Sequence, residues 1–168
     1  MQQPTPVNRE VTFDAENFIV SKTDTKGRII YGNELFIEIS GYTEQELLGS
    51  PHNILRHPDM PKVVFKLLWD YIQRGEEIFA YVKNMTKEGA YYWVHAYVTP
   101  MYDETGRCFG YHSVRRKPTP EALRVVGPLY AQLLEAEKRG GLEASEKLLN
   151  DILKEKKVTY GEFSLAFS

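Results

Sequence analysis
The chain has 168 residues, enough for one domain with a sizeable core and a helical extension but short for two full domains. Its formal net charge is −2, with both signs mixed along the sequence, so no basic face argues for nucleic acid. The single cysteine, Cys108, excludes an intramolecular disulfide and a cysteine-based zinc site, and apolar runs are broken by charge long before the ~20 residues that cross a bilayer, so a cytoplasmic protein without a direct membrane span is expected.

In chain order, residues 1–16 lack periodicity and hold Pro4 and Pro6, which suggests an arm ordered only by docking. Residues 17–22 read as a strand, 23–27 as a hairpin turn and 28–31 as the partner strand. Asn33 opens a short helical pattern with Leu35, Phe36 and Ile39 apolar, so its amide can serve as a cap; Thr43 with Glu46 makes a capping box. After Pro61, Val63, Val64, Leu67, Leu68, Tyr71 and Ile72 recur at helical spacing until Gly75, while Trp69 lies off that stripe. Aromatic and β-branched residues then mark strands at 79–85 and 91–98 around a Lys87-Glu88-Gly89 turn, and a further strand at 108–115. This order, without parallel crossover repeats, predicts an α+β fold: an antiparallel five-stranded sheet with helices on one face. Beyond it, Thr119-Pro120-Glu121 starts a helix that Gly127-Pro128 is expected to kink and Gly140-Gly141 to end. A second amphipathic segment follows over 142–156, then a tail of undefined structure.

The chemistry concentrates between residues 53 and 61, where Asn53, Arg56, His57 and Asp59 sit close to two prolines, Pro58 and Pro61, in a rigid loop framed by packed elements. Such a loop is a ligand clamp or a self-satisfied turn in which Asp59 caps the next helix and pairs with Arg56. No Gly-x-Gly-x-x-Gly fingerprint is present and no nucleophile-base set stands at recognisable spacing, so a dinucleotide-binding α/β fold and an enzyme are both disfavoured.

Ser40-Gly41-Tyr42-Thr43, Glu46-Leu47 and Gly49 resemble a PAS domain over about residues 17–117. The runs Pro51-His52-Asn53, Arg56-His57-Pro58-Asp59-Met60-Pro61, Val82-Lys83-Asn84, Tyr92-Trp93-Val94 and Pro128-Leu129-Tyr130 resemble more specifically the sensor domain of bacterial aerotaxis receptors. That resemblance implies a PAS sensor domain at 17–117, between the arm and a C-terminal helical extension at 118–168. It also implies non-covalently bound FAD and redox signalling to a chemotaxis receptor or other signalling protein, with a homodimer as a further possibility. By the same resemblance Asn53, Arg56, His57 and Asp59 belong to the flavin-binding segment, Asn33 and Asn84 bond polar edges of the cofactor, and Trp69 lines the pocket. Many of these sensors carry a tryptophan after the Gly-Glu turn; here Ile78 and Phe79 stand there, with Phe79 as the substitute ring. Because the sequence ends without an anchor or methyl-accepting module, a separate membrane receptor, as in bipartite energy-taxis systems, is the expected partner. A haem-binding PAS gas sensor, using one of four histidines, and a cofactor-free interaction module are the alternatives.

Overall fold
The computed structural model describes residues 3–167; residues 1, 2 and 168, at the ends of the expected arm and tail, lie outside it. Five strands, β1 (Ile19–Asp24), β2 (Ile29–Gly32), β3 (Ile78–Met85), β4 (Tyr91–Tyr102) and β5 (Cys108–Arg116), form one sheet in the order β2-β1-β5-β4-β3, with every neighbouring pair antiparallel. Between β2 and β3 run α1 (Glu34–Ser40), α2 (Glu44–Leu47), a 3₁₀ turn (His52–Leu55) and α3 (Lys62–Gln73). The Thr43/Glu46 capping box is formed.

Strand alternation decides what each face carries. The register sets Ile19 beside Arg115 and Arg115 beside Ala96, and in the next row Ser21 beside Ser113 and Ser113 beside Val98. These residues share the face on which α3 lies. The opposite face carries Phe79, Tyr81, Trp93, His95 and Tyr97, where Tyr81 stacks flat on His95 with ring centroids 4.1 Å apart.

The C-terminal helices cover part of that second face. α4 (Pro120–Lys156) starts at a Thr119 cap and α5 (Tyr160–Leu165) supplies Ser164, which accepts from the Tyr81 hydroxyl through its carbonyl at 2.9 Å and meets His95 Nε2 through its own hydroxyl at 2.9 Å. Tyr130 and Tyr160 close a ring of bonds on the free edge of β3. The Tyr81 N–H donates to the Tyr160 oxygen, Tyr160 donates to Tyr130, and Tyr130 donates to the Tyr81 carbonyl at 2.7 Å. An amide can only donate and a carbonyl only accept, so the proton order is fixed.

Two expectations for α4 divide. Gly140-Gly141 does break the helix, with Gly141 at φ 74°, ψ −167°, a conformation open to glycine alone. Gly127-Pro128 does not break it; φ and ψ stay helical there, with Leu129, Tyr130 and Leu133 of the same turns buried. Around the Gly140 elbow, Glu137 reaches across to α3 and accepts from the backbone N–H groups of Lys62 (2.9 Å) and Val63 (3.1 Å), while Ser145 donates to the same carboxylate at 2.8 Å. The first turn of α3 is therefore capped by a distant helix. Its own N-cap position, Pro61, contributes no side-chain bond.

The N-terminal arm docks along the β3–β4 turn: Val7 N–H donates to Gly89 (2.9 Å), and Val11 and Arg9 bracket Tyr91. Gly89 has φ 93°, and a Cβ there would meet the Thr5 carbonyl at 2.1 Å, so only glycine lets the arm cross.

Candidate functional site
Between α3, the 51–56 segment and the face of β1, β5, β4 and β3 lies a cavity of about 260 Å³. Its walls are Phe65, Leu68, Trp69 and Ile72 of α3 against Val82, Ala96 and Val98 of the sheet, and its rim carries the exposed Lys26, Pro51 and Asn53. Trp69 meets Tyr111 edge-on at 5.5 Å, so its position off the α3 stripe turns it toward the sheet.

Of the residues expected at a ligand site, the cavity gathers Asn53, Arg56, Trp69 and Asn84, and leaves out Asn33, His57 and Asp59. The Asn33 amide is spent on the fold: it caps α1 by accepting from Phe36 N–H (3.0 Å), accepts from Val20 N–H (3.1 Å) and donates to the Phe18 carbonyl (2.9 Å). The clamp residues part by alternation. Arg56 bridges antiparallel to Asn84 on the edge of β3, so the loop runs as one more short strand and successive side chains point to opposite sides. Arg56 thereby faces the cavity, its guanidinium 3.8 Å from the Phe65 ring centre. His57 turns away and packs edge-on to Tyr91 while its Nδ1 accepts from Asp59 N–H at 3.0 Å. Asp59 is exposed and pairs with Lys83 at 3.3 Å. It neither caps α3 nor pairs with Arg56; that half of the loop is a turn with internal bonds. Phe79 is on the far face, stacked on Tyr97 at 4.4 Å, and does not supply a ring to the cavity.

Sequence reasoning missed the polar floor. Arg115 is 2% exposed, lies 4.8 Å from the Phe36 ring centre and donates from Nη2 to the Ser21 hydroxyl. Arg115 can only donate, so Ser21 accepts from it, and the same hydroxyl meets His52 Nε2 at 3.2 Å. His52 is held neutral by burial and by the charges of Arg115 and Arg56, which push its pKa down to about 3. The alternation Tyr111, Ser113, Arg115 on β5 was the available signal for this floor, because it puts all three on the face of α3.

The site is short of acceptors. Among the described residues its lining has three cations, Lys26, Arg56 and Arg115, and no carboxylate; Arg56 Nε, Asn84 Nδ2, Arg115 Nε and Arg115 Nη1 are buried without a hydrogen-bond partner. Each such orphan costs roughly 1–3 kcal/mol. A flat, mostly apolar ligand with acceptor atoms or negative charge at its edges satisfies them, which is the chemistry of a flavin ring; the residues present fit that group. They fit an axially ligated haem poorly. His52 alone among the four histidines lines the cavity and its Nε2 is taken by Ser21, while His95 is on the far face under α5, its pKa lowered to about 4 by burial first and by Arg116 second. Cys108, half-buried on β5, does not line the cavity. No groups of His, Cys, Asp and Glu among the described residues could hold a metal, and no described helix is long and apolar enough to cross a membrane.

Comparisons with known proteins bear on this geometry. The family model described as PAS fold matches residues 29–115. The chain is 43% identical over 132 residues to the aerotaxis receptor of Escherichia coli K12, covering 79% of this chain and 25% of that receptor. It is 33% identical over 85 residues to the biofilm dispersion protein BdlA of Pseudomonas aeruginosa, covering 50% of this chain and 20% of that protein. This chain therefore spans a quarter or less of these relatives' lengths. Among solved structures, the dark state of the blue-light photoreceptor Aureochrome1 LOV superposes with a TM-score of 0.56 at 22% identity over 74% of this chain and 85% of that one, a likeness of fold.

Proposed function
The chain belongs to the PAS-fold family, and from that premise we propose that it is a sensor domain that binds FAD non-covalently and reports redox state to a chemotaxis receptor or related signalling partner. The observation that carries this reading is the buried, carboxylate-free cavity whose guanidinium and amide N–H groups lack acceptors. At about 260 Å³ it falls below the ~300–1,000 Å³ of sites that engulf a whole ligand, so it takes a ring, and the rim with Lys26 and Asn53 is left for the phosphates and adenosine. When bound, FAD supplies a two-electron redox centre whose ring gains a proton or negative charge on reduction.

The chain's own residues do the rest. Phe65, Leu68, Trp69 and Ile72 exclude water from one side of the ring, Val82, Ala96 and Val98 from the other, and Asn84, Arg56 and Arg115 hold its polar edge. A charge change against these donors alters which bonds they prefer, and a change in one or two bonds is worth on the order of 1–3 kcal/mol, a typical coupling energy. α3 carries four of the wall residues and is fastened to α4 through Glu137, which gives the change a mechanical exit toward the helices that would meet a partner. A domain that passes its state to a chemotaxis-type signalling partner, with or without dimerisation, is the arrangement we infer.

One visible spectrum with cofactor extraction tests the reading. A yellow protein that releases FAD on denaturation is expected; a haem Soret band, or a protein that stays colourless after incubation with FAD, overturns it.

A further inference from the structure
α4 hands over to α5 through a strained residue. Lys157 stands at φ 57°, ψ 41° and is the one non-glycine residue with positive φ among those described. The bonds around it belong to a helix ending that ordinarily carries glycine: Val158 N–H donates to the Leu153 carbonyl at 3.1 Å, and Lys157 N–H to the Lys154 carbonyl at 3.1 Å. For an L side chain that conformation is disfavoured roughly 5- to 30-fold, and Lys157 is exposed, so burial of its side chain does not compensate. Beyond the hinge, α5 is a self-contained piece. Thr159 and Glu162 close a capping box of its own, with bonds of 3.0 and 3.1 Å, and Tyr160 and Phe163 bury their rings. Its bonds to the body go to parts far away in sequence. Tyr160 takes the Tyr81 N–H at 3.3 Å and donates to Tyr130, Ser164 holds the Tyr81 hydroxyl and His95 Nε2 at 2.9 Å each, and the Phe167 carbonyl accepts from the Thr119 hydroxyl at 3.0 Å.

We propose that α5 is an exchangeable latch and that its surface on β3 and β4 is an interface with a second copy of this chain: two copies trade residues 158–167, each α5 seating on the sheet of the other. The contacts themselves fix the occupant. The surface beneath α5 is already shaped and hydrogen-bonded for that segment, so each bond lost when the monomer opens is regained across the dimer. The hinge tips the balance. Turning Lys157 into the right-handed region lets α4 run on through it, carries α5 off its own sheet and relieves the strain in both copies, so that ~5-fold per hinge multiplies to ~25-fold for the pair. The short tether opposes this by giving the closed α5 a local concentration on the order of millimolar, and the quotient puts half-exchange at tens of micromolar. The arrangement is two-fold and closed, so it stops at two copies. Because α5 must leave its seat before it can be traded, protein kept dilute and cool stays monomeric. The cavity takes no part in the exchange, which stands or falls apart from the flavin reading.

The experiment is size separation with light scattering on the full chain as wild type, Lys157→Gly and Lys157→Val, each warmed to just below its melting midpoint at about 0.3 mM and about 0.01 mM and then cooled. Wild type is expected as a dimer from the concentrated sample and a monomer from the dilute one. Lys157→Gly, at ease in the left-handed region, should need ~25-fold more protein and stay monomeric in both. Lys157→Val, whose branched side chain fits that region worse, should be dimeric in both. A flexible insertion of about four Gly and Ser residues after Lys157 removes the tight turn and should return the protein to monomer. These changes fall at an exposed hinge and leave the core untouched. Equal dimer fractions in wild type, Lys157→Gly and Lys157→Val overturn the proposal, because a dimer through any other surface ignores the hinge. Monomers alone in both wild type and Lys157→Val overturn it too, as does a Lys157→Gly protein that melts below wild type, since a glycine then relieves nothing.

Discussion

Adjacent residues of the clamp do different jobs. Arg56→Ala removes a charge-assisted donor from the cavity, worth ~1.5–3 kcal/mol, and should weaken FAD binding roughly 10- to 150-fold by fluorescence titration. Asp59→Ala, at an exposed side chain paired with Lys83 and 3.8 Å from His57 Nδ1, should leave FAD affinity unchanged within a few-fold. His57→Ala should lower the melting temperature more than the affinity, because the ring is buried between Tyr91 and the Asp59 turn. Equal affinity losses in all three would show that the loop binds as one unit. The other buried imidazoles give a pH signature. His52 and His95 titrate near 3 and 4 in the fold against about 6.5 when unfolded, so the unfolded chain binds the extra protons and stability is lost as pH falls below 6.5. Each contributes up to about 1.4 kcal/mol per pH unit, and only between about pH 6.5 and 5.5 do the lowered carboxylates Asp24, Asp103 and Glu46 not yet interfere. Urea melts across that window should show the slope, and His52→Gln should remove one histidine's share; a flat profile would mean these rings charge without cost.

Among elements, α3 depends most on a residue far away in sequence. Glu137→Ala uncaps the Lys62 and Val63 amides and should cost about 1.5–3 kcal/mol, with a melting-temperature drop of about 2–4 °C per kcal/mol, while also weakening FAD binding because α3 walls the cavity. Gly141→Ala forces a side chain into a glycine-only conformation at the elbow that aims Glu137 and should cost about 1–3 kcal/mol; a neutral effect of either change on melting would dissolve the clasp. The strands, α3 and the caps at Thr43 and Thr119 were legible in the sequence because each depends on local spacing: alternation, a 3.6-residue stripe, a hydroxyl three residues before a free amide. What was not legible depends on pairings across the chain. Arg56 and His57 separate because Asn84 pairs with the loop, Arg115 is a cavity residue because β5 lies between β1 and β4, and Pro128 is tolerated within a helix whose apolar side is anchored by Tyr130. Asn33 carries a local signal that read two ways, cap and ligand, and its bonds to Phe36, Val20 and Phe18 decide for the cap.

For the whole molecule, a signal that starts at Asn84 and Arg115 has two routes, along β5 into α4 and through α3 to Glu137. Hydrogen exchange should differ between oxidised and reduced FAD-loaded protein in residues 62–73 and 109–134, and the difference should vanish without flavin; identical exchange in both states would leave a flavoprotein with no switch. The Tyr81–Tyr160–Tyr130 ring has a further consequence for how this protein can meet others. β3 is the last strand of the sheet, and a bare last strand invites a foreign chain to add alongside it. Here the outward amide and carbonyl of Tyr81 are occupied by tyrosine hydroxyls, and at the next outward position Lys83 N–H meets Met60 sulfur at 3.2 Å while the Lys83 carbonyl accepts from His57 N–H. The Tyr130→Phe, Tyr160→Phe double variant should uncover this border and show concentration-dependent association by light scattering, where the wild type stays dispersed. A partner that meets this border of the intact protein therefore docks by side chains, because strand-by-strand zippering along β3, the common route to fibrils, is closed by two phenols.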